Sequence, residues 1–229
     1  MVINHLSSGQ LSDMSELVRA GNQVNSGSSG SNQLKLSLSN IPKQAADCFS
    51  NGIGLDLDIV VTEDGQEHTI KASKFMLGCN SPFFCAMFSG QWKEAIDNQW
   101  KIKPTTDSED FTDLSTIKLF IAAMHGVEVH LSDLITAIRL SALCRMYEVD
   151  ELARQVKYFI TSGLNKTNVI EVLVYAHRNG YDEIKALASS FIRSDKFGKL
   201  EELSGLNDLD GELSMVLAKD MRDALIAKK

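Results

Sequence analysis

The chain has 229 residues, of which 44% are hydrophobic and 23% charged, and a formal net charge of −7. That length suffices for one large domain or two small ones with a sizeable buried core. The acidic balance, with no Lys/Arg cluster longer than Lys228-Lys229, excludes the basic footprint of a nucleic-acid binder, and no apolar run approaches the roughly 18 residues of a membrane span.

The N-terminus lacks a basic segment followed by an apolar one, so no secretory signal is expected and the chain is assigned to the cytoplasm and/or nucleus. Cys48, Cys79, Cys85 and Cys144 form no CxxC pair and read as buried reduced thiols. Residues 1–33 read as disordered or linker, the Gly/Ser/Asn stretch from Gly21 to Gln33 having little to bury. Order begins at Leu34. Leu34, Leu36 and Leu38 alternate with polar residues as in a half-buried strand. Ile41, Ala45 and Phe49 recur at fourfold spacing on one helical face, with Pro42 at the start and Asn51-Gly52 at the end. Such a strand and helix either pack against a second copy or cap the domain's own sheet.

Asp58 to Glu94 is the centre of the chain. Ile59-Val60-Val61 and Glu67 to Ala72 read as two strands joined at Asp64-Gly65, the strongest short-range hairpin signal. An apolar helical run follows, then a break at Ser81-Pro82 and the aromatic segment Phe83 to Phe88. Trp100-Lys101-Ile102 suggests a third strand ended by Pro104, and the acidic stretch after it reads as a surface connection. Helical patterns then run from Leu114 to a stop at Gly126, from Ser132-Asp133, from a cap at Asp150, from Thr167 or Asn168 to Gly180, and from Asp182. Val127 and Val129 bracket a brief extended turn. Tight loops make the later helices antiparallel hairpins. From Asp195 to Glu212 there are six carboxylates against two lysines, and a last helix is expected over 213–226.

No catalytic or cofactor-binding arrangement emerges, so the chain is not expected to be an enzyme and no cofactor or metal is expected. His68, His125, His130 and His177 are scattered. His125 and His130 could share a zinc only across a tight turn. Asn51-Gly52-Ile53-Gly54 lacks the third Gly and the following helix of a phosphate loop. Cys79 and Cys85 read as core packing. Asp58 and Lys74 read either as a buried ion pair or as ordinary surface charges.

Residues 50–162 nevertheless resemble a BTB/POZ domain. The resemblance is carried by Leu57 to Val61, Ile70 to Lys74, Leu77, Ser81-Pro82-Phe83-Phe84, Met87-Phe88, Trp92-Lys93-Glu94, Gly126 and Ala142 to Leu152. The hairpins over about 163–193 are similar to the truncated BACK region of speckle-type POZ proteins, here without a MATH domain. The family's usual Ala-His-Lys is replaced by Ala72-Ser73-Lys74, its Tyr-Thr-Gly by Met124-His125-Gly126, and the connection from Ile102 to Leu119 is longer.

The resemblance implies an α+β fold, a small β-sheet flanked by α-helices over 34–162 followed by BACK-like helical hairpins over 163–229. It implies a protein-interaction module that homodimerises or pairs with other BTB proteins. It further implies an adaptor that recruits cullin-3 for ubiquitination of a protein substrate; the alternative is a dimerisation or scaffold protein without cullin binding. Neither nucleic acid nor membrane is an expected partner. The cullin-binding candidates are Phe88, Trp92, Lys93 and Glu94, and the dimer-interface candidates are Leu34, Leu36, Leu38, Ile41, Ala45 and Phe49. An exposed Trp beside a carboxylate suits an interface anchor; a Trp92 packed on its own domain beside a solvated Glu94 is the competing reading.

Overall fold

A computed structural model describes residues 34–39, 41–90, 92–102 and 113–193, together with positions 204–205, 211, 213–215 and 218. The expected linker over 1–33, the connection over 103–112 and most of the acidic segment and last helix lie outside the described residues. Fourteen elements are described, in the order β1 (Leu34–Leu36), α1 (Lys43–Ser50), β2 (Leu57–Glu63), β3 (Gln66–Ala72), α2 (Lys74–Asn80), α3 (Pro82–Ser89), α4 (Lys93–Asp97), β4 (Gln99–Ile102), α5 (Leu114–Met124), β5 (Val129–Leu131), α6 (Leu134–Met146), α7 (Asp150–Gly163), α8 (Val169–Arg178) and α9 (Asp182–Arg193).

The strands form a three-stranded sheet in the order β3-β2-β4 and a two-stranded sheet of β1 and β5. β2 and β3 are the expected hairpin: Glu63 faces Gln66 across Asp64-Gly65. Both turn residues have positive φ, 50° and 75°, as a turn matched to strand twist requires. β4 joins the free edge of β2 in parallel, Ile59 opposite Trp100. A central strand is covered on both faces, and accordingly Leu57, Ile59, Val60 and Val61 are all buried.

The short extended segment expected around Val127 and Val129 is a strand. Leu36 lies opposite Val129 and Leu34 opposite Leu131. Past Leu36 the backbone leaves β5 and is taken up by α7: the Gln155 amide donates to Ser37 O (2.7 Å) and its oxygen accepts from Ser37 N–H (3.2 Å). Glu151 accepts from Ser39 N–H at 2.9 Å. The N-terminal segment is thereby held on its own domain.

Several helix starts are fixed by side-chain caps. Ser81 caps α3, with Pro82 in the first turn, Asp113 caps α5 and Asp133 caps α6, each accepting from a backbone N–H three residues on. The α7 cap is Val149, and Asp150 is the first helical residue rather than the cap. The shift follows from Glu148, which adopts φ 54° in the turn after α6 and delivers the chain one residue earlier.

Most apolar stripes meet in one continuous core, from Leu36 through the sheet and α5 to Ile170, Leu173 and Ile184 of α8 and α9. Phe84, Trp100 and Tyr147 lie at its centre with ring centroids 5.1 Å apart pairwise, and Tyr147, buried, has its phenol pushed up to about 12. Arg139 on α6 donates to the Tyr175 hydroxyl at 2.9 Å, tying α8 to the same body.

One expectation is corrected, and one of two open readings is excluded. Only Cys144 of the four cysteines is buried, its thiol pushed upward by burial, and all four are free. Cys79 and Cys85 are exposed because Leu77, Phe84 and Met87 take the inward faces of their helices. Asp58 pairs with its cross-strand neighbour Lys71 (2.5 Å), both about a third exposed, so the Asp58–Lys74 pair does not form.

Candidate docking face

No charged residue occurs between Lys74 and Lys93, and this run folds into α2, α3 and the approach to α4. α2 and α3 pack closely enough at Gly78 that an added Cβ would lie 3.6 Å from the Cys85 Cα. Leu77, Phe84 and Met87 are buried, while Phe75 (73% exposed), Cys79, Cys85 and Ala86 face outward.

α4 has five residues, none buried. Trp92 begins it and is 62% exposed; Ile96 within it is 68% exposed. The indole folds back over Gly90, where a Cβ would lie 2.6 Å from the indole Cδ1. Phe88 is half-buried, stacked on Phe84 at 6.0 Å. Lys93 is exposed and Glu94 half-buried. The four residues read from sequence therefore occupy the α3–α4 junction, and the Trp is on the solvent side. Phe75 and Ile96 were not anticipated. A lone apolar residue in a short helix carries no sequence signal for which way it faces.

Lys74 sits under this junction. Its ammonium donates to Ala95 O (2.7 Å) and Asn98 Oδ1 (2.5 Å) and lies 5.8 Å from the Phe88 ring centroid. Its backbone N–H donates to Asp56 Oδ1 at 2.8 Å.

The other candidate residues lie at the N-terminal segment. Leu36, Leu38 and Phe49 are buried against their own domain, Ile41 and Ala45 are half-buried, and Leu34 pairs with Leu131 through its backbone. In a single chain this segment adds β1 to β5 and lies against α7 and the end of α5. Phe49 stacks on His125 at 4.2 Å, and Ile41 packs so tightly on Gly126 that a Cβ there would lie 2.6 Å from its Cγ2.

His125 links this segment to α2. It is 1% exposed. Its Nδ1–H donates to Ile121 O (2.7 Å), and its Nε2 accepts from Ser73 N–H (2.9 Å). Both ring nitrogens are thus engaged by the protein, which removes the zinc option with His130. Burial lowers the imidazole to about 4, opposed by the Ile121 bond and by Asp56. Two of the departures from the usual family residues, Ser73 and His125, are in direct contact, Ser73 through its backbone N–H.

A small α+β domain with an outward apolar face is suited to contact with another protein. A family model described as the BTB/POZ domain matches residues 46–164, more than half of the chain. The chain belongs to the BTB/POZ family. BTB domains are protein–protein interaction modules that mediate self-association and binding to other proteins. No helix among the described residues is long and apolar enough to cross a membrane.

Proposed function

We propose that this protein is a dimeric adaptor of a cullin-3 ubiquitin ligase, docking the cullin on the face that runs from Phe88 to Glu94. The observation that carries the reading is the exposure of Trp92, 62%, beside Glu94. A large apolar side chain held in water at the start of a helix with no buried residue contributes little to folding. It is suited to entering a partner's pocket, with the carboxylate at the rim. The hydrophobic-x-Glu motif of cullin-binding BTB proteins falls at these residues, and the C-terminal helices, which share the domain's core, support the reading. The protein substrate is bound by another surface or by a partner.

Titration of the full chain with the purified N-terminal region of cullin-3 tests this. A complex is expected, weakened about 30-fold by Trp92→Ala, the effect of losing an interface anchor worth about 2 kcal/mol. Absence of any complex refutes the reading.

A second reading, a dimerisation scaffold without cullin binding, draws on the N-terminal segment. The apolar and hydrogen-bonding contacts that hold 34–50 on its own domain are equally available to the same segment of a second copy. Light scattering that finds a dimer, combined with no cullin complex, selects this reading.

A further inference from the structure

We infer that Lys74 is the positioning residue that fixes α4, and with it the display of Trp92 and Ile96. The inference starts from a deficit. A helix of five residues is far below the length at which a helix is stable alone, and α4 compensates with no buried side chain. Something outside the helix must hold it.

Its N-terminus has no side-chain cap, Trp92 occupying that position. The last carbonyls of a helix lack intrahelical partners and carry the negative end of its dipole. At this end the Lys74 ammonium reaches Ala95 O at 2.7 Å and the Asn98 side-chain oxygen at 2.5 Å. Asn98 is the C-cap residue, in the left-handed conformation at φ 54°. Its own carbonyl accepts from Asp58 N–H at 2.9 Å, which anchors the helix end to β2. One ammonium therefore holds a helix carbonyl and the side chain of the residue that ends the helix.

Lys74 is itself fixed from two sides. Its N–H is bonded to Asp56 at 2.8 Å, and its charge lies 5.8 Å from the Phe88 centroid, within the range of a cation–π contact. Phe88 in turn stacks on the buried Phe84. The route from core to docking face runs Phe84, Phe88, Lys74, α4. Asp58, one of two readings for a partner of Lys74, is engaged by Lys71, and the Lys74 ammonium is directed to α4.

The functional meaning of this tether rests on the docking reading above, but the tether itself is testable without a partner. Backbone amide hydrogen exchange is followed by NMR on the full chain, wild type and Lys74→Met, which keeps the stem on Phe88 and removes the donors. Exchange of the Ala95 and Ile96 amides, which bond to Trp92 O, is expected to accelerate about tenfold or more, the effect of losing a charge-assisted bond. Amides of β2 and α5 keep their wild-type rates. Asn98→Gly, which tolerates the left-handed backbone and removes one acceptor, gives a smaller acceleration and serves if Lys74→Met does not fold.

Unchanged exchange at α4 in a folded variant overturns the inference, as does an equal acceleration throughout the domain, or α4 amides already unprotected in the wild type. Affinity for the cullin-3 N-terminal region is measured on the same proteins and on Trp92→Ala. If α4 loosens while all of them bind like wild type, the tether stands and the docking reading falls. If Trp92→Ala loses binding while Lys74→Met leaves α4 rigid, the docking reading stands and the tether falls.

Discussion

Replacing His125 with glutamine should remove an acid-sensitivity built into the domain. His125 is neutral when folded, with a pKa of about 4 set by burial, against an ordinary value of 6.5. The unfolded chain therefore binds the proton more tightly than the native one. The resulting contribution to stability is complete above pH 6.5 and is lost as pH falls through the interval from 6.5 to 4. At about 1.4 kcal/mol per pKa unit the whole interval is worth about 3 kcal/mol. Between pH 7 and pH 5 alone, wild type should lose about 2 kcal/mol through this group. Urea unfolding at pH 7, 6 and 5, with wild type and His125→Gln in parallel, reads it. The variant should be the less stable at pH 7, because the Phe49 stacking contact is lost. The gap between the two proteins should then narrow by about 2 kcal/mol at pH 5. A gap that stays constant with pH would show that the native imidazole is not held neutral, and with it the assignment of Nε2 as acceptor from Ser73 would fail.

Gly126→Ala places a Cβ at φ 80° and 2.6 Å from the Ile41 Cγ2, and should destabilise the domain by about 2–4 kcal/mol in urea titrations. Adding Ile41→Ala should recover at least about 1 kcal/mol of that loss, a non-additivity expected only of residues in contact; strictly additive effects would refute the packing of Ile41 on this corner. Glu148→Gly should do the opposite. Glu148 occupies the left-handed position after α6 at φ 54°, and relieving it should stabilise by about 1 kcal/mol, raising Tm by about 2–4 °C.

Local rules made much of the fold readable. Asp64-Gly65, Ser81-Pro82 and Asp133 act where they stand, because turns and N-caps depend on residues within three or four positions. Gly52, Gly126 and Gly180 each sit one residue past a helix cap with positive φ, as helix endings favour. Glu148 occupies the same kind of site without glycine's signature, which is why the α7 start was misplaced by one residue.

The candidate site was less legible. Trp92 and Trp100 lie eight positions apart in similar polar company, yet one is 62% and the other 7% exposed. What separates them is tertiary: Trp100 is carried by a strand against Phe84 and Tyr147, whereas Trp92 begins a helix with no inner face. The same holds for Cys79 and Cys85, whose orientation was decided by which neighbours filled the core, and for Ser73 and His125, partners across 52 positions of chain. Periodicity identifies an apolar stripe, not what lies opposite it.

The pairing of the N-terminal segment with β5 and α7 has a consequence for biosynthesis. Ser37 is bonded to Gln155, 118 positions later. At roughly 5–20 residues per second of synthesis, on the order of 10 s separates the emergence of the two. During that interval Leu36, Leu38 and Phe49 have left the ribosome while the surface that will bury them does not yet exist. This early-synthesised segment is among the last that can close, since contacts so distant in sequence form late. On a crowded polysome, neighbouring nascent chains offer the same surface to that waiting segment.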